Sequence, residues 1–171
     1  MRHLLADRFR PVNDFEYLYT KAVLDIYEGS LRLIVEEARA HANHPTSLPG
    51  GITGSLITST DSSALVCIAW DQYVSYNVTD ETFAPVDRND DEYLDEGRWM
   101  RSYNSSEFLR YVEKVTFPSA VGEEKLKHFR VRTLNHVIDV ASKDEPVLRV
   151  LNRNGDAIEA VLRTFPNRPI A

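Results

Sequence analysis

The sequence has a single cysteine, Cys67, and no apolar run near the ~20 residues that a membrane-spanning helix needs. One cysteine excludes an intramolecular disulfide and a cysteine-rich zinc cluster, and it fits a reducing compartment. Cys67 also lies in an apolar run, so we expect an inert thiol. The first eight residues lack the apolar core of a signal peptide. These absences predict a cytoplasmic protein with no membrane partner.

Basic residues are outnumbered by acidic ones. The chain has 20 lysines and arginines against 26 aspartates and glutamates, which gives a net charge of -6. A negative field opposes binding to nucleic-acid phosphates, so we expect no nucleic-acid partner and, where charge guides binding, a basic protein partner. The 171 residues, 43% of them hydrophobic, suit one globular domain over residues 1–171.

Motifs for cofactors and metals are incomplete. The glycine-rich residues 50–55 lack the Lys-Ser/Thr pair of a phosphate loop and predict a turn. An acidic stretch begins like an EF-hand calcium loop, but Glu92 replaces the required glycine and Arg98 replaces the bidentate glutamate. His41 and His44 are two ligands at i and i+3, too few for a metal site. We expect no cofactor and no metal.

The N-terminal third fits two structures. Apolar residues recur at helical spacing over residues 14–40, and Asn13 with Glu16 matches a capping box. We predict a helix there and leave open a break at Gly29. A strand over residues 31–35, after a turn at residues 28–29, is the alternative.

Two later segments alternate apolar and polar residues with the period of a β-strand. We predict long strands over residues 64–78 and 129–141, paired in one antiparallel sheet. The apolar phase of the second slips by one residue, which predicts a bulge at residues 133–136, with a tight turn at residues 135–136 as the alternative. The residues that should be buried are Trp70, Val74, Ile138 and Val140.

Capping patterns predict two further helices. Residues 104–107 precede an apolar face that consists of Phe108, Tyr111, Val112 and Val115. Asp156 with Glu159 predicts the last helix, and residues 147–151 predict a short edge strand. This order of elements predicts an α+β fold, with one antiparallel sheet and helices packed mainly on one face.

Acidic and aromatic residues concentrate between residues 80 and 103. Aromatic rings supply contact area and carboxylates steer a basic partner, so this stretch predicts a protein-binding surface. The leading hypothesis is a non-enzymatic interaction module that inhibits or neutralises a basic partner. We assign to its surface Tyr73, Asp90, Asp91, Glu92, Tyr93, Trp99 and Tyr103.

The alternative hypothesis is a small-molecule enzyme or ligand-binding domain with a pocket between sheet and helices. Its lining would include Asp71, Tyr76, His136 and Asp139. His136 with Asp139 is half of a nucleophilic triad, but no serine lies in a nucleophile-elbow motif, so we assign no catalytic residue. Cross-strand ion pairs of Asp71 or Asp139 with Arg130 or Arg132 are a purely structural use. A closed core with an exposed aromatic patch favours the interaction module, and a polar-lined cleft favours the alternative.

Overall fold

The structure, a computed structural model, describes residues 8–27, 29–48, 50–84, 91–116 and 125–151. Its strands are β1 Tyr17–Tyr27, β2 Ser30–Leu48, β3 Ile52–Thr58, β4 Leu65–Trp70, β5 Tyr73–Asp80, β6 Glu92–Asp95, β7 Met100–Ser105, β8 Lys127–Arg132, β9 His136–Ser142 and β10 Val147–Leu151. Its helices are α1 Arg10–Asn13 and α2 Glu107–Val115, and a short 3-10 turn spans Glu81–Phe83. Neither α1 nor α2 has the length and apolar character that crossing a membrane requires.

The strands form two antiparallel sheets. The first sheet has the order β1-β2-β4-β10, with β3 paired to the C-terminal half of β2. The second sheet has the order β5-β9-β8-β7-β6. The predicted α+β fold with a single sheet and helices on one face is therefore wrong.

The two sheets pack face to face around one hydrophobic core. Rings from both sheets meet directly, since Trp70 of β4 and Phe129 of β8 have centroids 6.2 Å apart. Of the residues predicted to be buried, Trp70, Ile138 and Val140 are buried and Val74 is half-buried. The core is built from Phe9, Val12, Leu18, Leu31, Leu33, Val35, Val66, Ile68, Trp70, Met100, Phe129, Val131, Ile138 and Val140.

The N-terminal segment is a hairpin of β1 and β2, so the predicted helix over residues 14–40 is wrong and the alternative strand is confirmed. Tyr27 pairs with Ser30, and Gly29 turns the chain with a φ of 74°. Both faces of β2 are buried, because Leu33 and Val35 face the core while Ile34 is buried on the other side. The apolar residues Leu31, Leu33, Ile34, Val35 and Ala38 also fit a helical spacing, which explains the wrong prediction.

Each of the two predicted long strands is divided by a turn. Residues 64–78 comprise β4 and β5, which belong to different sheets and are separated by Asp71 and Gln72. Residues 129–141 comprise β8 and β9, which pair as a hairpin. Thr133 closes its turn, because its backbone N–H donates to the carbonyl of His136 at 2.8 Å. A tight turn is thus present, but its central residues are Leu134 and Asn135, one residue before the predicted 135–136, and His136 already belongs to β9. The single strand with a bulge is wrong.

Helix α2 packs on the outer face of the second sheet. Its predicted N-cap is confirmed, because the Ser106 hydroxyl accepts a hydrogen bond from the Leu109 backbone N–H at 3.1 Å. The predicted apolar face is only partly correct. Leu109 and Val112 pack against Ala141, whereas Tyr111 is 57% exposed. The buried side of the helix therefore consists of Leu109 and Val112, with Phe108 partly buried beside them.

The predicted edge strand at residues 147–151 is confirmed as β10, which pairs only with β4 among the described strands. The glycine-rich turn is also confirmed, since Gly50 and Gly51 lie between β2 and β3 with φ of 87° and 77°. The predicted last helix begins at Asp156 and lies outside the described residues.

Candidate functional site

A partly enclosed cavity of about 280 Å³ lies at the β6 end of the second sheet, on the side that faces the core. Five separate chain segments contribute to its wall, and six of its eight lining residues are polar or charged. The lining residues are Arg8, Phe9, Leu94, Asp95, Ser102, Asn104, Lys127 and Glu145. Apolar surface with a few polar groups converging on it is typical of a ligand site, and this wall combines Phe9 and Leu94 with six polar or charged side chains.

A β-bulge in edge strand β6 directs Asp95 toward this cavity. Tyr93 pairs with Tyr103, and the next paired residue, Asp95, lies opposite Ser102, so Leu94 is the inserted residue. Residues two apart in a regular strand share a face, but the bulge sends Tyr93 and Asp95 to opposite faces. Bulges often re-aim a side chain beside a functional site, which is the effect seen at Asp95.

Asn13 and Gly97 hold the segment that follows Asp95. The Asn13 side-chain oxygen accepts hydrogen bonds from the backbone N–H groups of Trp99 and Met100, at 2.9 and 2.8 Å. A Cβ atom at Gly97 would collide with the Asn13 side chain and with the carbonyl of Met100. Glycine is therefore required at residue 97, and the loop beside the cavity has little room to change.

The Asp95 carboxyl group has few hydrogen-bond donors to offset its partial burial. Its Oδ2 atom is shielded from solvent and has no hydrogen-bond partner. Burial raises the pKa of Asp95, and hydrogen bonds from the backbone of Gly97 and Glu96 and the charge of Arg8 oppose the rise only in part. A carboxyl group with a raised pKa in a cleft is typical of functional sites, because desolvation of an ion is tolerated where a ligand compensates it.

The other charged residues of the cavity already form ion pairs. Lys127 Nζ lies 2.6 Å from Glu145 Oε1, and Arg8 NH1 lies 3.3 Å from Glu145 Oε2. These side chains are between 31% and 47% exposed, so solvent can reach the network. Two cations thus share one carboxylate, which leaves this part of the wall with one surplus positive charge.

A second polar cluster lies on the outer face of the same sheet. Asp139 Oδ1 accepts hydrogen bonds from Arg130 Nε at 2.6 Å and from His128 Nε2 at 2.7 Å. The register explains the contacts, since Arg130 lies directly opposite Asp139 and His128 is two residues along the same face. Burial alone would raise the pKa of Asp139, but the hydrogen bonds and charges of His128 and Arg130 lower it below its usual range.

Aromatic rings seal this outer cluster. The Tyr103 ring stacks on His128 with centroids 4.5 Å apart, and the Tyr93 ring packs on Tyr103 at 4.9 Å. Phe108 of α2 also packs on His128, with ring centroids 5.1 Å apart. His128, Arg130 and Asp139 are all buried, so the cluster is a neutralised polar network inside the fold.

Asp139 is hydrogen-bonded to His128. From the sequence, His136 is its expected histidine partner. Alternation along β9 places His136 and Asp139 on opposite faces of the sheet. The expected cross-strand pair between Arg130 and Asp139 is present. Asp71 is exposed and forms an ion pair with buried Arg32 at 2.7 Å, and Tyr76 packs against the core beside Tyr73. The four residues of the predicted pocket therefore do not line one cavity.

The residues assigned to a protein-binding surface are also spread over the fold. Tyr73 is on β5 and Tyr93 is on β6, which are at opposite edges of a five-stranded sheet. Four spacings between neighbouring strands separate these edges by roughly 19 Å. Tyr103 is fully buried, and the Trp99 ring nitrogen donates to the Phe15 carbonyl at 2.8 Å.

The acidic members of that surface lie in and beside β6. Glu92 is exposed, Asp91 is half-buried, and Asp90 lies outside the described residues. The described aromatic residues of the set pack on neighbouring rings or hydrogen-bond within the fold, and they lie on separate segments of the chain.

Cys67 is buried, and burial raises the pKa of its thiol to about 11, so the group stays protonated at neutral pH. Within the described ranges, no three histidine, cysteine, aspartate or glutamate side chains are grouped closely enough to hold a metal ion. No family model, curated protein or solved structure matches the chain.

Sequence reasoning missed the cavity and the role of His128. Asp95 is one of several acids in the stretch before Tyr103, and nothing in its local pattern distinguishes it. His128 could have been found from the tight-turn alternative, because a hairpin closed at residues 133–136 places His128, Arg130 and Asp139 on one face.

Proposed function

We propose that this protein is a ligand-binding domain and that the cavity at Asp95 holds a small polar molecule. The observation that carries the proposal is the Asp95 carboxyl group at the cavity wall, whose Oδ2 atom is shielded from solvent and has no hydrogen-bond partner and whose pKa is raised. A donor from a ligand would compensate this carboxyl group, because burying a polar atom without a partner costs about 1–3 kcal/mol. The cavity of 280 Å³ suits a small molecule, since ligand sites begin at roughly 300 Å³.

Binding should be tested by nuclear magnetic resonance of the labelled protein against a library of small polar molecules. A ligand of the cavity should shift the backbone amides of Asp95, Ser102 and Asn104, which lie on two neighbouring strands. Asp95→Asn should weaken binding at least about tenfold, since a hydrogen bond to a charged group contributes about 1.5–3 kcal/mol. Asp61→Asn is the matched control, because Asp61 is exposed in a distant turn. Equal binding by the parent and Asp95→Asn would refute the proposal.

An interaction module for a basic partner is the second candidate function, and one exposed aromatic side chain favours it. Phe83 is 81% exposed at the end of the 3-10 turn, next to the exposed acids Asp80 and Glu81. Such a ring can be the anchor of an interface whose carboxylates steer the partner. Because charges act mainly on association and rings on dissociation, Glu81→Gln should slow association and Phe83→Ala should speed dissociation.

Surface plasmon resonance with a panel of basic proteins, at low and high salt, tests this second candidate. A specific partner should lose affinity with each variant, while Asp61→Asn should bind like the parent. If no basic protein binds, or if Phe83→Ala leaves dissociation unchanged, Phe83 is not an interface anchor.

A further inference from the structure

The charges of the cavity are arranged in two parts of opposite sign. Asp95 supplies one negative charge on β6, without an ion-pair partner among the described residues. Lys127 on β8 and Arg8 near the N-terminus share Glu145, so this group of three has a net charge of +1, and the charge of Arg8 also acts on Asp95. A ligand that complements both parts carries one cationic and one anionic group.

The cationic part of such a ligand must be a hydrogen-bond donor. Asp95 Oδ2 lacks a donor, and an ammonium group supplies up to three N–H donors together with a positive charge. Such a group would favour the ionised carboxylate and lower the pKa that burial raises. A charge-assisted hydrogen bond of this kind is stronger than a neutral one.

The anionic part of the ligand would meet the network of Lys127, Arg8 and Glu145. Lysine and arginine supply donors that a carboxylate accepts, and both side chains remain partly exposed. Between the two charged parts, Ser102 and Asn104 offer neutral hydrogen-bonding groups. Phe9 and Leu94 add apolar surface, which suits a short hydrocarbon side chain.

We propose that the cavity binds a small zwitterion of the amino-acid class, with its ammonium group on Asp95 and its carboxylate on Lys127 and Arg8. This inference rests on the proposed ligand-binding function and narrows it to one class of ligand. A simple amine would leave the surplus positive charge uncompensated, and a simple acid would leave Asp95 without a donor.

The test compares three sets of probes by nuclear magnetic resonance of the labelled protein. The first set is the standard amino acids. The second set is their decarboxylated amines, and the third is the corresponding acids without the amino group. For leucine, the three probes are leucine, 3-methylbutylamine and 4-methylpentanoate, which share an alkyl chain and differ in charge. At least one amino acid should shift the amides of Asp95, Ser102 and Asn104 and bind at least about tenfold tighter than its matched amine and acid.

Two cavity variants separate the two ends of the ligand. Asp95→Asn should weaken the amino acid and the amine at least about tenfold and leave the acid unaffected. Lys127→Gln should weaken the amino acid several-fold and leave the amine unaffected. Amino-acid binding to the parent should tighten as pH rises through the pKa of Asp95, and Asp95→Asn should lose this dependence. Asp61→Asn should match the parent in every titration.

The outcomes distinguish this inference from the proposed function. If a neutral polar compound binds the cavity and no amino acid does, the zwitterion is overturned and the ligand-binding function stands. An amine that binds as tightly as its amino acid also overturns the zwitterion. If nothing in either library shifts the cavity amides at millimolar concentration, both the function and the ligand class are overturned.

Discussion

Asp95 and Asp139 lie in the same sheet, but their carboxyl groups differ in hydrogen bonding and in the direction of their pKa shifts. Asp139 is buried with two donors and its pKa is lowered, whereas Asp95 has an unpartnered oxygen and its pKa is raised. Removing one partner of a buried ion pair is strongly destabilising, and a buried polar atom that never had a partner also costs stability. We infer that the outer cluster serves the fold and the inner cavity serves a ligand.

Strand position explains the difference. Asp139 is on β9, which has β8 and β5 as neighbours, so side chains on β8 can reach its carboxylate. Asp95 is on edge strand β6, follows a bulge, and has only β7 beside it among the described strands. An edge position next to a bulge leaves a side chain free to face a cavity.

The largest effect should come from Asp139→Asn, which keeps the shape and removes the charge. Arg130 would stay buried and lose its ion pair with Asp139, so we expect a loss of about 3 kcal/mol in the free energy of unfolding, measured with urea. Because the folded pKa of Asp139 is lowered, its stabilisation is present above the ordinary pKa of an aspartate. It is lost as pH falls through the lowered value, where the parent and the variant should converge. A loss below about 0.5 kcal/mol, the range of surface substitutions, would contradict a structural role.

Gly97→Ala should produce the next largest effect. Its new Cβ atom would collide with Asn13 and the Met100 carbonyl, and such overpacking costs about 1–3 kcal/mol. The exposed neighbour Glu96 provides the control, because Glu96→Ala should change the melting temperature little. If Gly97→Ala has the same melting temperature as the parent, the loop beside Asp95 can rearrange to accept a Cβ atom at residue 97, and it does not hold Asp95 in place.

Tyr93→Ala should cost about 1–2 kcal/mol, because the variant loses the ring that packs on Tyr103 above the Asp139 cluster. Phe83→Ala is the control, since that ring is 81% exposed and its removal should be nearly neutral for stability. Thermal unfolding of both variants decides whether Tyr93 is an anchor of the fold. An unchanged melting temperature for Tyr93→Ala would show that Tyr93 does not stabilise the fold, and a role in binding a partner would again be the better explanation.

The smallest effect should be a gain in stability from Asp95→Asn, below about 1 kcal/mol because solvent screens a half-exposed carboxylate. The folded pKa of Asp95 is raised, so its ionised form costs stability at neutral pH and the cost disappears below the ordinary pKa of an aspartate. The variant should therefore be more stable than the parent at pH 7 and equal to it at low pH. A clear loss of stability at pH 7 would show that Asp95 serves the fold.

Three features that depend on only a few neighbouring residues were predicted correctly from the sequence. The Ser106 cap, the glycine turn at residues 50–51 and strand β10 follow from short patterns that the structure retains. The β1–β2 hairpin was predicted wrongly, because β2 has buried apolar residues on both faces and their spacing also matches a helical period. The division between β4 and β5 depends on which sheet each strand joins, and alternation alone does not carry that information.

The candidate site was beyond local patterns for a different reason. The cavity is assembled from five segments between Arg8 and Glu145. The bulge at Leu94 turns Asp95 inward, and the pattern of apolar and polar residues around it does not reveal the bulge. The Arg130–Asp139 pair was among the cross-strand pairs that the sequence suggested, and it forms because a turn divides residues 129–141 into two paired strands.

A titration of the Asp95 and Asp139 carboxyl groups by carbon-detected nuclear magnetic resonance tests the central contrast most directly. It should be run on the parent protein alone and with the tightest-binding amino acid. We predict a pKa above the ordinary aspartate value for Asp95 and below it for Asp139 in the free protein. Ligand should lower the pKa of Asp95 and leave that of Asp139 unchanged. A pKa of Asp95 at or below the ordinary value in the free protein, or one that the ligand does not lower, would contradict the account.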